Sequence, residues 1–295
     1  MSMMLAMLMA AATSGAGPTK ADLKILGPVK DTAAVQLDPN AAYILLRSPA
    51  PVPVNLFRIA TPDEVAEYKA RRAEKLAKAH AKWAKSHATW AKDIADWKKS
   101  PGTYPHPGEE PVEPTDASFN YPPLDQENLL AFGPLNRFAK EKGGTSTYLQ
   151  RVWPGRYVVY GSVLVNPNGG AMGFCVCMGT IAFDARPGEI VDVGLVKASA
   201  TDALTYPNLL EKAEPGEIEG LRNGSVTMMR WAPQSGSLPI DPRLSAYKVV
   251  PAQFRPAGPV PNYYGVQVDR MTALPGVLAY DRDRIVDAEG TAGGQ

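Results

Sequence analysis

The sequence predicts a mainly β chain with a helical insertion, an α+β fold in which an antiparallel β-sandwich carries one long α-helix over 62–99 and a shorter helix over 124–142. Three observations predict it. Twenty-eight prolines and 26 glycines punctuate short apolar segments without forming a repeat, which is the composition of a turn-rich β domain. Runs such as TYLQRVWPGRYVVYGSVLV, from Thr147, are rich in β-branched and aromatic residues and are broken by Pro-Gly pairs. Against this background one stretch, Thr61 to Lys99, keeps an unbroken helical period.

At the N-terminus an apolar run from Met3 to Ala12 precedes the small residues Ser14, Gly15 and Ala16. That order predicts a secretory signal over 1–16, although no Lys or Arg precedes the run. The run is too short to span a bilayer and nothing later reaches eighteen apolar residues, so no transmembrane segment is expected. The implied address is the bacterial periplasm or cell surface. Ala33 to Ser48 reads as two strands around Asp38-Pro39-Asn40, and Val52 to Ile59 as a third, placed near a sheet edge by Pro51 and Pro53.

The long helix follows directly. Thr61 suits the N-cap, Pro62 the first helical position, and Glu64 completes a capping box. From Leu76 the chain repeats as LAKAHAK, WAKSHAT, WAKDIAD, WKK. Leu76, Trp83, Trp90 and Trp97 therefore share one heptad position, and His80, His87 and Ile94 share the other seam position. These seven residues are the candidate interaction site, flanked by small residues such as Ala77, Ala84 and Ala91 that admit another backbone. Lys75, Lys78, Lys82, Lys85, Lys92 and Lys99 form a basic ridge away from the seam. At 1.5 Å per residue the helix spans roughly 55 Å, more than the width of a small domain. Protonating a seam histidine is expected to charge an apolar interface and weaken it. The two histidines lie about 10.5 Å apart on one helix, too far to chelate one ion, and no metal or other cofactor is expected.

Residues 101–123 hold seven prolines and the acids Glu109, Glu110 and Glu113, the composition of an extended return linker whose acids have the basic ridge within reach. Leu124 to Lys142 is read as the shorter helix, interrupted near Gly133-Pro134. The β region then resumes with a hairpin at Pro154-Gly155. A second hairpin joins Ala171–Phe183 to Ile190–Val196 across Arg186-Pro187-Gly188-Glu189. Both faces of Ala171–Phe183 are apolar, which predicts a central strand covered on its second side by the inserted helix or the proline linker. Cys175 and Cys177, the two cysteines of the chain, share a face of this segment about 6.6 Å apart. That spacing is awkward for a bridge and predicts buried free thiols. Short strands are expected at Ser225–Trp231 and between Ala246 and Tyr280. The domain plan is thus a β-sandwich from 17–61 and 145–289, an insertion at 62–144, and a disordered tail at 290–295.

The segments PGRYVVYG and AFDARPGEIVDVG resemble the Pro-Gly hairpins of transthyretin-like, carboxypeptidase-regulatory-like β-sandwich domains over residues 147–197. The resemblance implies a binding or structural module and no catalytic residues.

Lys and Arg number 31 against 30 Asp and Glu, a net charge of +1, which gives no argument for nucleic acid. There is no G-x-S-x-G, H-E-x-x-H, phosphate loop or dinucleotide fingerprint. Paired-carboxylate chemistry stays open, because any two acids can converge in space. The acidic residues Asp281, Asp283, Asp287 and Glu289 lack the glycine and ligand order of a calcium loop. The expectation is a non-enzymatic envelope protein that self-associates or holds another protein through the Trp/His helix. The alternatives are a module that binds a membrane surface, a carbohydrate or a metal.

Overall fold

The computed structural model describes residues 26–48, 53–100, 102–103, 105–133, 135–140, 145–165, 170–199, 228–232, 238–281 and 284–286. The expected signal segment, the expected tail, and Asp283, Asp287 and Glu289 lie outside the described residues. In chain order the elements begin with β1 (Gly27–Pro28), β2 (Ala42–Ser48), β3 (Val54–Arg58), α1 (Pro62–Lys99) and α2 (Leu124–Glu127). They continue with β4 (Leu129–Phe132), β5 (Ala139–Lys140), β6 (Ser146–Val152), β7 (Gly155–Val165), β8 (Ala171–Cys175), β9 (Thr180–Ala185) and β10 (Ile190–Ser199). After these come β11 (Met228–Ala232), β12 (Val249–Pro251), β13 (Arg255–Ala257), β14 (Gln267–Val268), β15 (Ala279–Asp281) and β16 (Arg284–Val286). The fold is mostly β with one long helix, and no helix among the described residues is long and apolar enough to cross a membrane.

Two seven-stranded sheets carry the body. The first has the order β1-β6-β2-β10-β11, with β5 on β6 and β12 on β10. The second has the order β13-β9-β7-β3-β4, with β8 on β7 and β14 on β8. Pairing is mixed rather than wholly antiparallel, because β10 runs parallel to both β2 and β12 and β14 runs parallel to β8. One buried cluster takes Ile44 and Leu46 from the first sheet and Leu56, Val159, Ile181 and Phe183 from the second.

Neither Pro-Gly turn closes a hairpin. β6 lies in the first sheet and β7 in the second, and the chain passes between them at Trp153-Pro154, where the Tyr157 hydroxyl donates to the Trp153 carbonyl at 2.6 Å. β9 and β10 are likewise divided between the sheets across Arg186–Glu189. The reason is that the strands on both sides of each turn have buried faces, and those faces are satisfied by different neighbours. β2 buries Ile44 on one side and Tyr43 and Leu45 on the other, and β7 buries Val159 on one side and Val158 and Tyr160 on the other.

The central strand of the second sheet is β7, not the 171–183 segment. That segment turns at Val176–Gly179, where the Gly179 amide donates to the Val176 carbonyl at 3.3 Å. Its halves β8 and β9 pair with opposite ends of β7. The close β7–β8 approach requires glycine at Gly161, with φ 142°: a Cβ there would stand 2.3 Å from the Phe174 carbonyl oxygen. The outer face is covered by Val260, Tyr263, Tyr264 and Val266 rather than by the long helix or the proline linker.

The turn also changes the cysteines. Cys175 ends β8 and Cys177 lies in the turn, so their Cα atoms approach to 5.1 Å and the pair is disulfide-bonded, not free. The bridge is buried.

The shorter helix is confined to Leu124–Glu127. Downstream, LLAF instead pairs as β4 with β3, in the register Val54↔Phe132 to Phe57↔Leu129. Gly133, at φ 66°, stops any helical continuation. This pairing makes β3 an interior strand between β7 and β4, not an edge, and its proline Pro53 precedes the first ladder residue. Of the two strands expected around Asp38, β2 forms, while residues 31–38 carry no strand.

Candidate interaction arm

Because β3 and β4 are paired neighbours, everything between them leaves and re-enters the body at one place. The Arg58 amide donates to the Asn128 carbonyl at 3.2 Å, carrying the ladder to the base of the insertion. From that base α1 runs as predicted over Pro62–Lys99 with Thr61 as N-cap. The capping box is complete: the Glu64 amide donates to Thr61 Oγ1 at 3.3 Å, and Glu64 Oε2 accepts from the Thr61 amide at 2.8 Å. Glu64 Oε1 also pairs with the Arg58 guanidinium of β3, both side chains largely shielded. Burial pushes the Glu64 carboxyl up, but Arg58 and the Thr61 amide outweigh it and hold it below the ordinary glutamate value.

No residue of α1 is fully buried. All seven predicted seam residues, Leu76, His80, Trp83, His87, Trp90, Ile94 and Trp97, are half-buried, as are Glu64, Val65, Tyr68, Arg72, Ala79, Ala91 and Asp96, and the rest of the helix is exposed. What faces the seam is the return linker. The Trp83 indole N–H donates to the Pro111 carbonyl at 2.8 Å, and the Trp90 indole N–H to the Gly108 carbonyl at 3.2 Å. His80 Nδ1 lies 3.5 Å from Glu113 Oε1 and His87 Nε2 lies 3.0 Å from Glu110 Oε1. Trp97 meets the His106 ring edge to face at 4.8 Å.

These contacts share one register. Seven helix residues separate each Trp or His from the next, and three linker residues separate their partners. Two helical turns rise about 10.5 Å, and three residues of polyproline geometry rise about 9.3 Å. The periods are commensurate, so a heptad seam accepts an extended proline-rich strand without slipping. Pro107, Pro111 and Pro114 are the half-buried residues of the linker's middle, and the residues between them are exposed.

Toward the base the seam continues through residues that the heptad extrapolation misses. Tyr68 donates its hydroxyl to the Pro122 carbonyl at 2.8 Å and lies tilted against the Tyr121 ring at 5.4 Å; Arg72 pairs with Asp116 and lies over Phe119; Arg71 bridges Glu127 at 2.9 Å. A strict heptad back from Leu76 gives Lys69 and Ala73. A straight helix of 3.6 residues per turn drifts from a 3.5 repeat and brings Tyr68 and Arg72 to the linker instead.

The acids therefore meet the seam rather than the lysine ridge. Each seam histidine faces a carboxylate of the linker, His80 beside Glu113 and His87 beside Glu110, and not apolar groups alone. Part of the seam stays uncovered, in a groove of about 410 Å³ lined by Arg72, Leu76, His80 and Asp116 among others. On the body, a groove of about 420 Å³ is lined by Asn55, Leu129, Tyr148 and Leu164 with other apolar and amide residues, and by no charged side chain.

Comparison with protein-family models, with curated proteins and with solved structures returned no match.

Proposed function

We propose that this chain is a non-catalytic interaction protein of the cell envelope, and that the arm formed by α1 and its return linker makes the contact. The observation that carries the reading is that a 38-residue helix contributes no buried residue, yet is capped, anchored and lined along much of its seam by its own chain. A helix that adds nothing to the core is not required by the fold. The body is read as a β-sandwich whose two sheets enclose the shared cluster, with the arm inserted between two paired strands. In this reading the Trp and His residues hold the arm in shape, and its exposed edges present the binding surface. The apolar N-terminal run and a bonded cysteine pair both suit an oxidising, exported setting.

The experiment compares the protein with a variant in which residues 60–126 are replaced by a short turn, both taken from the envelope fraction of the native cells by mild extraction. The parent migrates well above its 31.7 kDa chain mass, and the armless form as a folded monomer. A parent that migrates as a monomer in the extract ends the proposal.

A further inference from the structure

The two long edges of the arm carry opposite charge. Between Lys75 and Lys92 the helix has five lysines and no acid, and these lysines lie roughly 140° around the helix from the Trp/His seam at 100° per residue. Of the five, Lys78 pairs with Glu74, and Lys75, Lys82, Lys85 and Lys92 form no ion pair among the described residues. The linker side is the complement: residues 105–123 hold Glu109, Glu110, Glu113 and Asp116 and no Lys or Arg. Those acids remain largely open even where they meet the seam, with Glu110 60% and Asp116 82% exposed. The rows also match in length. Lys75 to Lys92 spans about 25 Å at helical rise, and Glu109 to Asp116 about 22 Å at polyproline rise.

We infer that the partner of the arm is a second copy of this chain, whose acidic linker edge lies along the lysine edge of the first. The inference rests on the arm being the contact element. Because the two edges lie on opposite sides of one arm, the contact is head-to-tail: each copy keeps one edge free, and growth is open-ended rather than stopped at a dimer. Exposed charge pairs hold it, so association weakens as salt screens them.

The test is sedimentation velocity on the purified full chain at about 20 mM and about 300 mM salt. Two variants leave every helix–linker bond in place: Lys78→Glu/Lys82→Glu/Lys85→Glu on one edge, and Glu109→Lys/Val112→Lys on the other, Val112 being 87% exposed. Circular dichroism checks that each stays folded. The parent is expected to form concentration-dependent species whose association constant falls at least about tenfold at the higher salt. Each variant alone is expected to sediment as a monomer, and an equimolar mixture to form a one-to-one complex. A parent that is monomeric at low salt overturns the inference, and so does an unrestored mixture. A monomeric parent that instead floats with phosphatidylglycerol vesicles through its lysines also overturns it and assigns that edge to a membrane. If the purified parent is monomeric while the envelope extract holds it in a larger complex, the arm remains the contact element and only the second copy is excluded.

Discussion

The Trp83 indole donates its N–H to the carbonyl of Pro111, 28 residues away, at 2.8 Å. That bond fixes the phase between helix and linker, and Trp90 repeats it on Gly108. Truncating both removes two indole hydrogen bonds and two half-buried rings, about 1–2 kcal/mol each. Trp83→Ala/Trp90→Ala should leave the body's melting temperature nearly unchanged, because no helix residue belongs to the core. A glutamate-specific protease should cut after Glu109 at least about tenfold faster than in the parent, which is the factor that 1.4 kcal/mol represents.

The anchor at the arm's base should depend on pH. The Glu64 carboxyl is held below its ordinary value, so its contribution is fully present above the unfolded glutamate pKa and is lost as pH falls through the lower folded value. Amide exchange at residues 63–66 should therefore quicken as pH drops below about 4.5, after correction for intrinsic exchange. Glu64→Gln should weaken the anchor by about 1 kcal/mol at neutral pH and abolish the pH effect.

The long helix was legible almost to the residue because its signals are local. Thr61, Pro62 and Glu64 mark the start, and the Trp/His heptad marks the face. What lies on that face was not legible, because a linker without a repeat of its own reveals its register only against the helix. The β body failed at its turns for a related reason. Pro154-Gly155 and Pro187-Gly188 specify a bend, but whether the flanking strands pair depends on which buried faces must be satisfied elsewhere, as for β6 beside β2 and β7 beside β3. LLAF after α2 carries no period of its own, so its four apolar residues suit helix or strand alike, and pairing with β3 makes it a strand. The cysteine bridge is not legible in the strand pattern because strand spacing does not hold for Cys177, which lies in the turn after Cys175.

The bridge itself predicts a modest effect. Closing so short a loop removes little chain entropy, about 1.6 kcal/mol in the loop-closure model. Reduction should lower the melting temperature by a few degrees without unfolding the protein. Thiol titration of the denatured, unreduced chain should find none, and two titratable thiols would show the pair to be free.

Arg47 and Asp192 form a pair at 2.7 Å with 2% and 0% of their side chains exposed, joining β2 to β10. Asp192 also accepts from the Gly194 amide at 2.9 Å where the ladder shifts register. Removing one partner strands a buried charge, so Asp192→Ala should cost about 3–5 kcal/mol in chemical denaturation. Arg47→Met/Asp192→Leu should cost far less than the single change, because the pair's attraction is largely offset by its desolvation.

The register between helix and linker is tested most directly by proton NMR on protein labelled with nitrogen-15 at tryptophan, at a concentration where the chain is monomeric. The expected result is a nuclear Overhauser contact from the Trp83 indole N–H to protons of Pro111 and Val112, and one from Trp90 to Gly108 and Glu109, both independent of dilution. Indole protons in fast exchange with water, without contacts to residues 105–116, would contradict the account.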